Sequence, residues 1–433
     1  MQLISWMREA TPGSPTSPAG PFVRGARPIT HLRPLVKQND MFKKIAVVHD
    51  WLPVYAGAER VLEQILNVFP DADVFSMVDL LSPSERVFLK GKKVRTSFLQ
   101  KWGWVRRNYR KFLPLMPLAV EQFDMSEYEL IISSSYAVAK GVVTGPGQLH
   151  VCYCHTPMRY AWDLQHQYLR ESRLESGPSS VVARIILHYM RQWDVQSSNR
   201  VDHFIANSQF IRQRIHTVYR REASVINPPV DVDRFALCEI KSDYYVAASR
   251  LVPYKMIGII IDAFNRMPER ELRVIGDGPQ FEEFKRRAKP NVQLLGYQSF
   301  EALRRQLQGA RAYLCAALED FGILPVEAQA CGTPVIAYGK GGVRETVVPG
   351  RTGLFFNEQT ADAVVDAVST FEKMKGAFVP QTIRAHAERY SAPNFRHSIQ
   401  DEIETCWIAK FGAMDGTAGM FSFPQDVEEA LAV

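Results

Sequence analysis

From residue 244 onward the chain alternates between short apolar runs and amphipathic stretches of helical period. The runs begin near residues 244, 272, 292, 312 and 335, and runs of four to eight apolar residues suit strands buried on both faces. Antiparallel strands need only a turn between them, whereas parallel strands need a crossover of a dozen or more residues, normally a helix. The alternation therefore predicts a parallel sheet covered by helices. The first half repeats the grammar, with strand-like runs at 44–50, 74–78, 128–133, 148–153 and 201–208 and helical stretches at 60–69 and 181–199. A chain of 433 residues is longer than one core usually serves. We expect two Rossmann-like α/β domains, 41–228 and 229–390, joined at the stiff Pro228-Pro229 pair, then a late helix and a peripheral tail at 412–433.

Composition narrows the class further. A formal net charge of +6 with 46% hydrophobic and 23% charged residues describes a globular protein and does not mark a nucleic-acid binder. Six cysteines, at 152, 154, 238, 315, 331 and 406, are no disulfide framework in a chain this long. Cys152 and Cys154 share parity, which suits one strand face better than a metal clip. A reducing cytoplasm accounts for them most simply. No stretch approaches eighteen apolar residues, and residues 1–40, rich in Pro, Gly, Ser and Thr, read as a disordered leader.

Chemistry gathers in 319–348. Phe321-Gly322 reads as a turn after a strand, and Pro325 suits the first turn of the helix that follows. Glu319 then hangs at the strand's carboxyl end while Glu327 sits early in the helix, both at one crevice. Carboxylates grip sugar hydroxyls, and helix N-termini and glycine turns such as Gly341-Gly342 aim N–H groups at anions. Arg250 and Lys255 flank a loop at the end of another strand, a fork and a point cation fit for a diphosphate. His155 follows a strand, placed to contact a sugar or polarise a phosphate oxygen. Gly57 lies just ahead of a helix, where a ligand can approach the backbone. Arg212 and Arg214 fit either a cleft wall or a solvated face. Asp71-Ala-Asp73 and Asp231-Val-Asp233 read as turns, so we assign no metal.

Glu, seven residues, Glu, with Phe-Gly after the first and Pro before the second, resembles the signature of the retaining family 4 glycosyltransferases. The resemblance implies GT-B architecture, two Rossmann-like domains facing across a cleft, with helix 391–411 returning to the first. It also implies roles. Arg250 and Lys255 would hold the donor diphosphate. Glu319 would hold sugar hydroxyls, helped by backbone at Phe321, Gly322 and Ile323, and Glu327 the ribose. Gly57, Gly276 and Gly278 would border the donor, Tyr297 would end the strand that meets the base, and His155 would reach the sugar. His155-Thr-Pro followed by Arg-Tyr-x-Trp162-Asp163 resembles bacterial mannosyltransferases of polysaccharide and O-chain assembly. Trp162 and Asp163 become acceptor-side candidates, and GDP-mannose the expected co-substrate. The pattern departs from the family at Ala56-Gly57, usually two glycines, and at Met256, usually a small residue.

The expected function is metal-independent, retaining transfer of mannose from GDP-mannose to a glycan or polyprenyl-diphosphate-linked saccharide. A UDP- or dTDP-sugar donor, or a nucleotide-sugar-binding protein without turnover, stands as the alternative. The stretch 92–120 carries Lys92, Lys93, Arg95, Lys101, Arg106, Arg107, Arg110 and Lys111 among large apolar residues, with no acid. It suits an anionic membrane surface on the inner face of the cell membrane, or a solvated basic face whose aromatics pack inward. No nucleic-acid module accompanies it.

Overall fold

The computed structural model describes residues 42–374 and 376–412, apart from the side chains of Arg106, Arg107 and Glu171. The predicted leader at 1–40 and nearly all of the predicted tail lie outside the described residues.

Two parallel sheets organise the chain. The first has seven strands, β1 (Ile45–His49), β2 (Asp73–Ser76), β3 (Val94–Thr96), β4 (Leu130–Ser135), β5 (Leu149–Cys154), β6 (His203–Ala206) and β7 (Ala223–Val225). Their order is β3-β2-β1-β4-β5-β6-β7. The second has six, β8 (Tyr244–Ala248), β9 (Glu271–Ile275), β10 (Val292–Gly296), β11 (Ala312–Cys315), β12 (Val335–Tyr338) and β13 (Gly353–Phe356). Here the order is β10-β9-β8-β11-β12-β13. Helices cover both faces, so the central strands β4, β5, β8, β11 and β12 are buried along their whole length. This burial is why they read as continuous apolar runs. Strand order reverses between β1 and β4 and again between β8 and β11, and a crevice opens beyond the carboxyl ends at each reversal. The architecture is GT-B: two Rossmann-like domains with a cleft between them.

Cys152 and Cys154 pack together against the helix Gln209–Tyr219, and all six cysteines are free. Two helices begin earlier than their apolar periodicity indicates. One starts at Gly57, where Glu59 Oε2 accepts from the Ala56 N–H at 3.0 Å and closes the first turn. The other starts at Pro178, whose fixed φ is ready-made for a first position. Residues 92–120 form no single helix: β3 gives way to short helical turns, with Pro114 inside one of them. Phe98, Tyr109, Phe112 and Leu113 pack onto the first domain's core. Trp104, 82% exposed, and Trp102, Leu115 and Leu118 face outward.

The C-terminal helix Ala392–Phe411 completes the first domain. Phe395, Ile399, Ile403 and Trp407 recur every fourth residue, one stripe of a helix, and join the core formed by Val47, Leu62, Ile65 and Leu130. Trp407 meets Phe42 edge-on at 4.9 Å, and Phe395 meets Tyr153 at 5.7 Å. Polar pairs flank the stripe: Arg396 Nη1 donates to Gln64 Oε1 at 2.6 Å, His203 Nε2 lies 2.7 Å from Glu402, and Lys410 Nζ 2.7 Å from Asp202. Removing a buried ring at this junction leaves a cavity, so Phe395→Ala should lower unfolding free energy by about 3–5 kcal/mol. Urea denaturation of the full chain, followed by tryptophan fluorescence, measures it.

Candidate active site

A cleft of about 500 Å³ lies between the sheets, lined from the first domain by Gly57, Tyr136 and His155 and from the second by Arg250, Lys255 and Glu319. Its second-domain wall rests on two loops pressed backbone to backbone. Ser249 and Leu251, after β8, donate to Ile275 O at the end of β9 (3.0 Å) and to Asp277 O in the turn that follows (2.9 Å). A Cβ on Gly276 would stand 1.8 Å from Ser249 O, which no relaxation of side chains relieves. Gly276 and Gly278 therefore buttress the Arg250 loop from behind, a packing role, and neither lines the cleft. That loop ends at Met256, whose φ of +55° is left-handed and costly for a residue with a side chain. The Met256 side chain packs against the second domain's core.

Along the next loop Glu319 is extended and bridges Gly341. The glycine turn holds this acid loop instead of presenting Gly342 N–H to an anion: that group donates to Glu319 O at 2.8 Å, and a Cβ on Gly342 would lie 2.3 Å from Asp320 O. Lys255 Nζ donates to Glu319 Oε1 at 2.7 Å. Burial opposes the charge on Lys255, yet the carboxylate beside it holds the ammonium above its ordinary pKa. Arg250, on the cleft wall, makes no ion pair among the described residues. Phe321 is buried edge-on against Tyr390 at 5.5 Å, and Gly322 and Ile323 open the helix Ile323–Ala330 at the cleft floor. Glu327, one turn further, is buried and accepts from Arg60 Nη1 of the first domain at 2.5 Å.

On the opposite wall, His155 Nε2 lies 2.8 Å from Ser134 Oγ. Burial, reinforced by nearby His49, pushes the His155 pKa down to about 3. Asp50 fastens the Tyr136 loop: its carboxylate accepts the backbone N–H groups of Tyr136, Ala137, Val138 and Ala139 at 2.5–2.9 Å.

Between the domains Asp320 is a knot. Its carboxylate accepts from Arg159 Nη1 at 3.2 Å and Arg214 Nη1 at 3.0 Å, and its carbonyl accepts from Ser208 Oγ at 2.5 Å. Arg214 thus lies in the interface, while Arg212 faces water beside Glu222. Arg214 Nη2 also donates to Asp163 at 2.7 Å. Asp163 and Trp162 line a neighbouring pocket of about 640 Å³ with Phe210, Gln213 and Thr217, outside the donor-side cleft. Trp162 Nε1 donates to buried Asp194 at 2.8 Å. Tyr297 is 83% exposed beyond β10 and does not line the cleft. Arg60, Arg159 and Asp320 were not singled out from sequence. Adjacency to Glu319, a position one turn after Gly57 and, for Arg159, membership of the Arg-Tyr-x-Trp-Asp motif were the signals available.

Two Rossmann-like domains meet at an arginine, a lysine–glutamate pair and a helix N-terminus, the arrangement of the GT-B fold. Two family models match the chain in succession, "Glycosyltransferase Family 4" over residues 55–234 and "Glycosyl transferases group 1" over 234–389. The chain belongs to glycosyltransferase family 4. One relative is the GDP-mannose-dependent alpha-(1-6)-phosphatidylinositol monomannoside mannosyltransferase of Mycolicibacterium smegmatis, 30% identical over 37% of this chain and 50% of the relative. Another is the D-inositol 3-phosphate glycosyltransferase of Mycobacteroides abscessus, 25% identical over 45% and 50%. The chain thus spans about half the length of these curated relatives. The crystal structure of HepE from Anabaena with UDP-glucose shares the fold, with a TM-score of 0.61 and 20% identity over 83% of this chain and 99% of that one.

Two outcomes check the geometry. Gly276→Ala should displace the Arg250 loop and weaken donor binding by on the order of ten-fold or more, read by calorimetric titration with nucleoside diphosphates. Asp320→Ala leaves Arg159 without its ion pair and Arg214 with Asp163 as its one remaining carboxylate at the domain boundary. The ligand-free protein should then expand, seen as a larger radius of gyration in small-angle scattering.

Proposed function

We propose that the chain transfers mannose from GDP-mannose, with retention of configuration and without a metal, to a glycan or lipid-linked saccharide of surface polysaccharide assembly. The observation that carries this reading is the wall made by Arg250, Lys255 and Glu319. Charge develops on the departing diphosphate, and fixed cations that meet it there lower the barrier more than any group binding substrate and transition state alike. Arg250 has its guanidinium uncommitted. Lys255 is charged and held in place by Glu319, which keeps a second carboxylate oxygen for sugar hydroxyls. Glu327 takes the ribose, and Arg60 occupies that carboxylate until the donor enters. The Mycolicibacterium relative, named as GDP-mannose-dependent, supports the choice of donor.

Trp162 and Asp163, in the adjoining pocket, suit an acceptor sugar, an aromatic face beside a carboxylate. Among the described residues no helix is long and apolar enough to cross a membrane. Exposed Trp102, Trp104, Leu115 and Leu118, interspersed with Lys101, Arg110 and Lys111, support docking on anionic lipid. The helix Pro178–Ser198 adds an outward stripe of Val181, Val182 and Ile185.

Purified protein offered GDP-mannose, UDP- and dTDP-sugars with a polyprenyl-diphosphate-linked saccharide should turn over the first, and proton NMR of the product should show the donor's anomeric configuration kept. Glu319→Ala should lose at least about 10²-fold in kcat. Preference for a UDP-sugar overturns the mannose assignment, and donor binding without transfer to any acceptor overturns catalysis. Trp104→Ala combined with Lys111→Glu should reduce co-sedimentation with phosphatidylglycerol vesicles. Undiminished sedimentation removes that surface from the membrane reading.

A further inference from the structure

We infer that Glu59, His49 and Ser134 are positioning residues that hold His155 as the tautomer with a bare Nδ1, so that His155 accepts a hydrogen bond from a sugar hydroxyl of the donor and does not contact a phosphate oxygen. The inference rests on the donor reading only for what meets His155. The tautomer itself is a property of the unliganded chain.

The three groups converge because of strand register. His49 ends β1 directly opposite Ser134 of β4, and His155 follows the last residue of β5, beside β4. His49 Nδ1 is 3.0 Å from Ser134 Oγ, and Ser134 Oγ is 2.8 Å from His155 Nε2. His49 and Ser134 are fully buried, and Glu59 nearly so. At the far end His49 Nε2 is buried without a hydrogen-bond partner, and Glu59 Oε1 lies 3.6 Å away. This is longer than a hydrogen bond but within direct electrostatic reach. Glu59 is fixed there because its other oxygen caps the helix at Ala56.

Proton counting then sets the direction of every bond. An ionised carboxylate only accepts, so the single proton of a neutral His49 resides on Nε2, facing Glu59. Nδ1 of His49 is then a lone pair, and the one hydroxyl proton of Ser134 must go to it. Ser134 is left as an acceptor for His155, whose proton is therefore on Nε2. Burial and His49 keep His155 neutral, with a pKa near 3, so its Nδ1 carries a lone pair. That atom has no protein partner among the described residues and is not sealed from the cleft that His155 lines. A hydroxyl can donate to it, whereas a phosphate oxygen would meet it lone pair to lone pair. A second proton on His49 would reverse the whole chain. The other polar groups around His49 are Asp50, Tyr136 and His155, and Asp50 is committed to four backbone N–H groups.

Glu59→Gln separates this relay from mere packing, because the amide keeps an oxygen for the Ala56 cap and offers an N–H to His49 Nε2. Long-range proton–nitrogen correlation spectra of the full chain, labelled with ¹⁵N-histidine and assigned through His155→Asn, read the tautomer directly. We expect Nε2–H in the wild type, Nδ1–H in Glu59→Gln, and a mixture in Ser134→Ala, whose circular dichroism and melting temperature establish that it is folded. Nδ1–H in the wild type, or an unchanged tautomer in Glu59→Gln, overturns the relay. Fluorine accepts but cannot donate, so replacing the contacted hydroxyl of GDP-mannose should cost the wild type on the order of ten-fold more in kcat/KM than it costs Glu59→Gln. Equal losses at every hydroxyl overturn the sugar contact. If no donor supports transfer, the reading of function fails while the spectra still decide the relay.

Discussion

Extended backbone sends successive side chains to opposite sides, and residues 319 and 320 use that rule to divide the labour of the cleft. Glu319 turns into its own domain and pairs with Lys255, while Asp320 turns across the gap to Arg159 and Arg214. One peptide unit therefore joins donor chemistry to domain closure. Gly342 presses on this unit from behind so closely that a single methyl group would displace it. A shift that frees Asp320 must also move Glu319, so the interdomain contact and the Lys255–Glu319 pair are mechanically tied.

The same economy appears in the paired charges. Arg60 on Glu327 and Lys255 on Glu319 are partly buried ion pairs. Such pairs are costly to break by removing one partner and contribute little when both are present. Their service here is to hold the two carboxylates in a fixed orientation within the cleft. Arg250 stands apart on the cleft wall, a cation with no ion pair among the described residues.

Sequence discloses the parts of this molecule that obey local rules. The central strands are buried on both faces and so appear as apolar runs. Glu319, Phe321, Gly322, Pro325 and Glu327 fall within nine consecutive residues whose turn and helix chemistry can be read directly. Arg60 and Glu327 are 267 positions apart, and no periodicity joins them. Gly276 and Gly278 press on the Ser249–Leu251 backbone, and a tight backbone approach leaves the same mark in sequence whether the neighbour is a phosphate or another loop. The segment 92–120 resisted reading because its basic and aromatic residues serve two surfaces at once. Phe98 and Phe112 point inward, Trp104 outward, and no single period describes both.

The helix Ala392–Phe411 has a consequence for biosynthesis. The first domain's core includes Phe395, Ile399, Ile403 and Trp407, which leave the ribosome only after the whole second domain has been made. At roughly 5–20 residues per second, the nascent first domain waits on the order of ten seconds with an open apolar groove along Leu62, Ile65 and Leu130. The half of the chain that is translated first is therefore finished last, and through that interval its core lacks the apolar stripe of its final helix.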